Sequence, residues 1–164
     1  MKGLLQREIG FPPVYNQHSK VLILGSFPSV KSREISFYYG HKQNRFWRTI
    51  CGYFHEEIPE SIEGKQAFLL RRNIALWDVA LSCEIVGSSD TSIKNAEIAD
   101  LGEIFAAAKI ERIFLNGSLA YQLFLQKYAQ VDIPYQKLPS TSPANPRFSL
   151  QAWTEALDAV FRLP

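Results

Sequence analysis

The chain has 164 residues, 46% of them hydrophobic and 21% charged, with a formal net charge of +2. That is the composition of one ordinary globular domain over 1–164, which excludes a disordered or low-complexity chain and carries no charge excess that would by itself demand a nucleic-acid partner. The apolar runs are too short to cross a bilayer, the first ten residues lack a signal-peptide core, and Cys51 and Cys83 are too few for a disulfide framework and lack metal-ligand spacing. A cytoplasmic monomer with buried free thiols, no membrane association, no metal and no other cofactor is expected.

Residues 20–25 are β-branched and apolar and close on Gly25, which predicts a short buried strand. The chain then breaks at Gly25-Ser26-Phe27-Pro28-Ser29 and reaches an aromatic loop, Phe37-Tyr38-Tyr39-Gly40-His41-Lys42-Gln43-Asn44. Over 45–54 the apolar positions Phe46, Trp47, Ile50 and Phe54 recur at helical spacing, with Asn44 placed as N-cap. A second helix is predicted over 61–72 and a buried strand over 73–77 that ends at Asp78. A polar loop, 87–95, precedes an amphipathic helix predicted over 96–109. Next come a strand at 112–115, a helix at 117–128 and a strand at 135–138. This last strand enters a second polar loop, Leu138-Pro139-Ser140-Thr141-Ser142-Pro143-Ala144-Asn145. A helix over 148–161, with Leu150, Trp153, Leu157 and Phe161 on one face, closes the chain.

Strands that alternate with helices predict an α/β fold, a three-layer α/β/α sandwich around a central, mainly parallel four-stranded sheet. If the strands at 20–25 and 135–138 belong to that sheet, the two polar loops meet at its carboxyl edge, where open α/β sheets bind ligands. The cleft so formed combines aromatic faces, neutral hydrogen-bonding groups and small hydroxyls, which suits a flat base and a phosphate backbone. Lys31, Arg33, His41, Lys42, Arg45 and Arg48 are interleaved with Phe37, Tyr38, Tyr39, Phe46 and Trp47. Alone that mixture is more often a solvated rim over a packed helix; beside the two loops, a phosphate-contacting surface is the better account.

Gly25-Ser26-Phe27-Pro28-Ser29, His41-Lys42-Gln43-Asn44-Arg45-Phe46-Trp47 and the loop 138–145, in this order on this strand pattern, resemble the uracil-DNA glycosylase superfamily. The similarity is closest to its hypoxanthine-DNA glycosylase branch, related to mismatch-specific uracil and thymine glycosylases. The resemblance implies a repair hydrolase that acts on DNA containing a deaminated base, with hypoxanthine (deoxyinosine) first, uracil or a G:U/T mismatch as the alternative, and a non-catalytic nucleic-acid-binding module as the second alternative. In the mismatch-specific relatives the first loop reads Gly-Ile-Asn-Pro-Gly and its asparagine positions the attacking water. Here Phe27 stands at that position and cannot orient water, so the resemblance moves the catalytic amide to Asn44, whose other reading is a plain helix cap.

A glycosylase must flip a nucleotide, hold its base, place water behind the sugar C1′ and stabilise the charge that develops on the departing base. Ser26, the backbone around Phe27, and His41 are the expected partners of the base. Asp78 is the expected reader of its edge, with stabilising a turn as its other reading, because an ionised carboxylate only accepts hydrogen bonds: hypoxanthine offers N1–H, whereas adenine offers a bare N1. Uracil N3–H would satisfy the same acceptor, and guanine would have to be rejected by the shape of its amine. Tyr39 is expected to stack on the base, with Tyr38 or Phe37 able to substitute and core packing as the alternative. Asn116 either lines the pocket or caps the helix that follows. Lys42, Arg45, Pro139, Ser140, Thr141, Ser142 and Asn145 are the expected DNA contacts, the prolines stiffening the loop and the hydroxyls donating to phosphates.

Overall fold

A computed structural model describes residues 6–35, 37–86 and 92–161. Its centre is β2 (Val21–Gly25), which pairs in parallel with β3 (Ile74–Asp78) on one side and β6 (Arg112–Asn116) on the other. Beyond β6 lies β7 (Tyr135–Leu138), also parallel, so the sheet order is β3-β2-β6-β7. Residues 21–24 have no exposed surface. A strand covered on both faces must be a continuous apolar run rather than an alternating one, and the Val-Leu-Ile-Leu sequence meets that demand.

The connections decide the layers. From β2 the chain reaches β3 through α1 (Val30–Ile35), α2 (Phe46–Tyr53) and α3 (Ile62–Arg71). From β6 it steps the other way to β7 through α5 (Ser118–Tyr128). Right-handed crossovers in opposite directions put these helices on opposite faces. The closing helix α6 (Leu150–Phe161) packs on α2, while α5 packs on β6 and β7. The predicted three-layer sandwich is therefore the observed one, with boundaries shifted by a residue or two.

One region differs. Lys94–Ile98 is a strand, β5, and the helix predicted over 96–109 shrinks to α4 (Gly102–Ala107). Two further strands, β1 (Gln6–Ile9) and β4 (Ala80–Ile85), join β5 in a small antiparallel sheet of order β1-β4-β5. The cause is tertiary. β4 leaves β3 after a single residue, with Val79 N–H donating to Gly25 O (2.8 Å) and Ala80 N–H to Ser26 O (3.0 Å), so its free edge is ready to pair with the next segment. Backbone pairing there outweighs the helical propensity of an alanine-rich segment. Residues 87–91 of the predicted polar loop lie outside the described residues.

Trp153 of α6 is fully buried, and its indole N–H donates to the Pro139 carbonyl at 2.8 Å, which ties the closing helix to the loop after β7. Trp153→Ala should cost about 3–5 kcal/mol in urea unfolding, the range for a large aromatic removed from a core.

Candidate active site

The loop after β2 turns to one face of the sheet and the loop after its neighbour β6 turns to the other, which opens a crevice between them at the carboxyl edge. The crevice is a cleft of about 530 Å³. Ser26, Phe27, Tyr39, His41 and Asn44 line one arm, Asp78 lies at the floor, and Asn116, Ser140, Thr141, Ser142 and Asn145 line the other arm. Thus every residue expected to touch the base or the water comes to one cavity. Lys42, Arg45 and Pro139 are not among its lining residues.

The floor is built by strand register. Gly25 pairs with Asp78 at the ends of β2 and β3, so the carboxyl group emerges beside a residue without a side chain. Asp78 is 4% exposed and its Oδ2 has no hydrogen-bond partner. Burial pushes its carboxyl up to about 7. The fully ionised group expected from sequence is therefore corrected: near neutral pH both forms are populated, because the sheet edge removes water and supplies no cation.

Tyr39 adopts a left-handed backbone conformation, φ 54°, and its ring stacks on Phe46 with centroids 4.2 Å apart at 20°. One face of the ring is thus already covered, and its hydroxyl is buried without a hydrogen-bond partner. The Asn116 amide is near enough to favour the phenolate, yet burial and the charge of Asp78 raise the hydroxyl's pKa far more, so it stays protonated. A Cβ built on Gly25 would stand 2.5 Å from Asp78 Oδ1 and 2.8 Å from the Tyr39 hydroxyl, closer than side chains pack, so any larger residue would displace both groups. The aromatic loop is held from beneath: Ser32 Oγ accepts from Gly40 N–H at 2.8 Å, and Trp47 Nε1–H donates to Tyr38 O at 3.0 Å. Ser32 carries no sequence signal for this task.

Asn44 is half-buried, and its Oδ1 accepts from Phe46 N–H at 2.9 Å. It caps α2 from one position further out than a usual N-cap, and the second lone pair of Oδ1 is left for another donor. His41 is exposed and accepts from Gln43 N–H through Nδ1 at 3.1 Å, which leaves Nε2 as its outward nitrogen. Phe27 is half-buried with the Arg33 guanidinium over its ring at 5.7 Å.

The opposite arm is clamped by Asn116, which accepts from Thr141 N–H and donates to Thr141 Oγ1, both at 3.0 Å. Thr141 is 1% exposed, so it is a holder of the loop and not the phosphate contact expected from sequence. Arg45 is likewise turned inward. Its backbone N–H donates to Thr141 O and its Nη1 to Ser142 O, each at 3.0 Å, and its guanidinium lies over Phe148 at 5.0 Å. Ser140 and Ser142 accept from Ser142 and Ala144 N–H, both at 3.1 Å, through hydroxyls whose own O–H can still donate outward. Asn145 Nδ2 donates to Ser140 O at 2.9 Å, and Lys42 is exposed. Gly117, with φ 100°, allows the turn from β6 into α5, where a Cβ would meet Ser140 Cβ at 3.1 Å.

Asp78 sets a pH signature. Its folded-state pKa of about 7 lies above the ordinary value, so folding binds the proton more tightly and stability falls as pH rises from about 4 to 7. Asp78→Asn removes that dependence. Relative to the native chain, the variant should gain up to about 4 kcal/mol between pH 4 and 8 in urea unfolding; an equal offset at both pH values would show that Asp78 ionises normally.

Residues 12–160 match the sequence model of the Uracil DNA glycosylase superfamily. A hypoxanthine DNA glycosylase of Methanosarcina acetivorans is 36% identical over 157 residues, covering 93% of this chain and 97% of that protein. A hypoxanthine DNA glycosylase of Methanosarcina barkeri is 39% identical over 110 residues, 66% of this chain and 70% of that protein. The fold is similar to a solution NMR structure of a candidate uracil DNA glycosylase from Methanosarcina acetivorans, with a TM-score of 0.81, 33% identity and coverage of 96% and 98% of the two chains. With the motif loops gathered at one sheet edge and this likeness running over nearly its whole length, the chain belongs to the uracil DNA glycosylase superfamily.

Proposed function

We propose that this chain is a monofunctional DNA glycosylase that hydrolyses the N-glycosidic bond of a flipped deaminated base, with deoxyinosine as its substrate. The observation that carries the reading is the Asp78 carboxyl, buried and half unpartnered at the floor of a cleft of purine-accommodating size. The relatives named as hypoxanthine DNA glycosylases support the same base. An acceptor at that depth receives N1–H of hypoxanthine. Adenine offers no proton there, so its own lone pair faces a lone pair of the ionised carboxyl. Discrimination by an unpaired buried polar group reaches about 10⁴.

In this reading the nucleotide leaves the duplex and enters between the two arms. Asn44 accepts a hydrogen bond from water through the open lone pair of Oδ1 and holds that water behind C1′, while Phe46 N–H fixes the amide's orientation. As the bond to the base lengthens, water adds to C1′ and its proton passes to solvent, and the purine departs with the electron pair. Ser26 and the outward nitrogen of His41, both in the lining of the cleft, face the base in this reading as it acquires charge. Among the described residues no lysine lines the cleft, which supports water rather than an amine as the nucleophile. Ser140 and Ser142 donate to the DNA backbone from a loop already stiffened by Pro139, Asn116 and Arg45, so little entropy is lost when it docks.

Single-turnover base release from duplexes with deoxyinosine, uracil or no lesion, with EDTA present, tests the reading: selective hypoxanthine release is expected, and faster release of uracil would replace the purine with a pyrimidine. Asn44→Ala should lower the deoxyinosine rate by about 10²- to 10³-fold. Asn44→Ser, which keeps a cap for α2, should fall comparably while its thermal midpoint stays near native; an unchanged rate would leave Asn44 as a cap only. Lys42→Ala should weaken binding to damaged and undamaged duplex alike and flatten the plot of log K against log salt by about 1.

A further inference from the structure

We infer that the Tyr39 hydroxyl is a specificity-determining donor aimed at the base carbonyl, so that Tyr39 and Asp78 together read a lactam edge, a ring N–H beside a C=O, rather than the N–H alone. The inference rests on the deaminated-base reading above and assigns the second half of the edge that Asp78 leaves unread.

Among the described residues the Tyr39 hydroxyl and Asp78 Oδ2 are the buried side-chain polar atoms left without a hydrogen-bond partner. Other buried polar groups around the cleft are paired, Asn116 with Thr141 and Ser32 with Gly40 N–H, and the Asn116 amide stands near the Tyr39 oxygen as a donor, which leaves the hydroxyl's own proton without an acceptor. Native folds leave few such atoms unsatisfied, and a ligand that completes them is a physical reason for their survival. Tyr39 and Asp78 line one cleft, and the Tyr39 hydroxyl and the other carboxyl oxygen, Asp78 Oδ1, approach the same missing Cβ of Gly25, at 2.8 Å and 2.5 Å. They are neighbours, yet the hydroxyl does not hydrogen-bond to the carboxyl. The pair therefore presents a donor and an acceptor side by side.

The hydroxyl is also held in place from several directions. Its ring lies flat on Phe46, and its backbone sits in the left-handed region that a tyrosine adopts only when its surroundings impose it. Burial and the nearby carboxyl oppose ionisation, so the group remains a donor at any working pH. Hypoxanthine offers N1–H to Asp78 and O6 to Tyr39 in one plane. Adenine presents the reverse order, with an acceptor at N1 that faces the ionised Asp78 oxygen unpaired and a donor at its amine that the Tyr39 hydroxyl can meet only by accepting. As the glycosidic bond breaks, negative charge spreads onto O6, so this donor strengthens toward the transition state.

Tyr39→Phe removes one oxygen and keeps the ring on Phe46. Single-turnover rates are measured on deoxyinosine and on 2′-deoxynebularine, which lacks both O6 and the N1–H, with affinities for cleavage-resistant 2′-fluoro analogues of both measured on the same proteins. The variant should lose about 10²-fold on deoxyinosine and change by no more than about twofold on deoxynebularine, and its affinity preference for the inosine analogue should shrink by a comparable factor while the part that Asp78 draws from N1–H remains. Equal losses on both substrates, or none on either, would overturn the assignment, as would a native protein that binds the two analogues alike. A native protein that prefers the inosine analogue and keeps only the smaller, N1–H part of that preference in Tyr39→Phe, yet releases no base, would uphold the lactam reader while ending the glycosylase reading.

Discussion

Asp78 is a carboxyl group that the sheet holds out of water, and most of the cleft follows from how that is achieved. β2 and β3 end together, with Gly25 opposite Asp78, so the side chain is flanked by backbone where any larger residue would collide with it. The chain then bends straight into β4, and the hydrogen bonds from Val79 to Gly25 and from Ala80 to Ser26 lock the bend. The carboxyl consequently meets solvent only through the floor of the cleft, and among the described residues none holds a cation against it. Burial of this kind is destabilising to the ionised group, and a fold keeps such a group at a ligand site when the ligand makes use of it.

Around that floor the two arms are stiffened by different means. The aromatic arm is packed, with Tyr39 on Phe46 and with Trp47 and Ser32 holding the backbone on either side of it. The second arm is hydrogen-bonded, through the reciprocal pair of Asn116 and Thr141 and through the inward guanidinium of Arg45. Arg45 joins the arms, because it stands at the start of α2 and grips the loop after β7. Groups that must contact a nucleotide are more effective when their orientation is settled beforehand, since less freedom is lost on binding. The same economy explains why several polar residues that read as DNA contacts in one dimension serve as internal struts in three.

Much of the architecture was legible because its signals are local. The continuous apolar run at 21–24 demands burial on both faces, the spacing of Phe46, Trp47 and Ile50 demands a helix, and Ser61 caps α3 by accepting from Gly64 N–H as such a residue should. The small antiparallel sheet was not legible, since residues 94–98 become a strand only when β4 offers them a free edge. Residues 80–85 carried no pattern distinct from a loop after Asp78 for the same reason.

The sequence by itself determined the parallel α/β core, the order of the loops and the residue types that meet at their ends, because hydrophobic period, turn residues and capping groups act over a few neighbouring positions. Only the tertiary structure decided the state and orientation of those residues. It left the Asp78 carboxyl poised near neutrality, turned the Tyr39 hydroxyl toward the same floor and drew Thr141 and Arg45 inward. Desolvation, a missing partner and a long-range hydrogen bond are properties of what surrounds a group in space, and for this cleft the surroundings come from strands and loops up to a hundred residues apart.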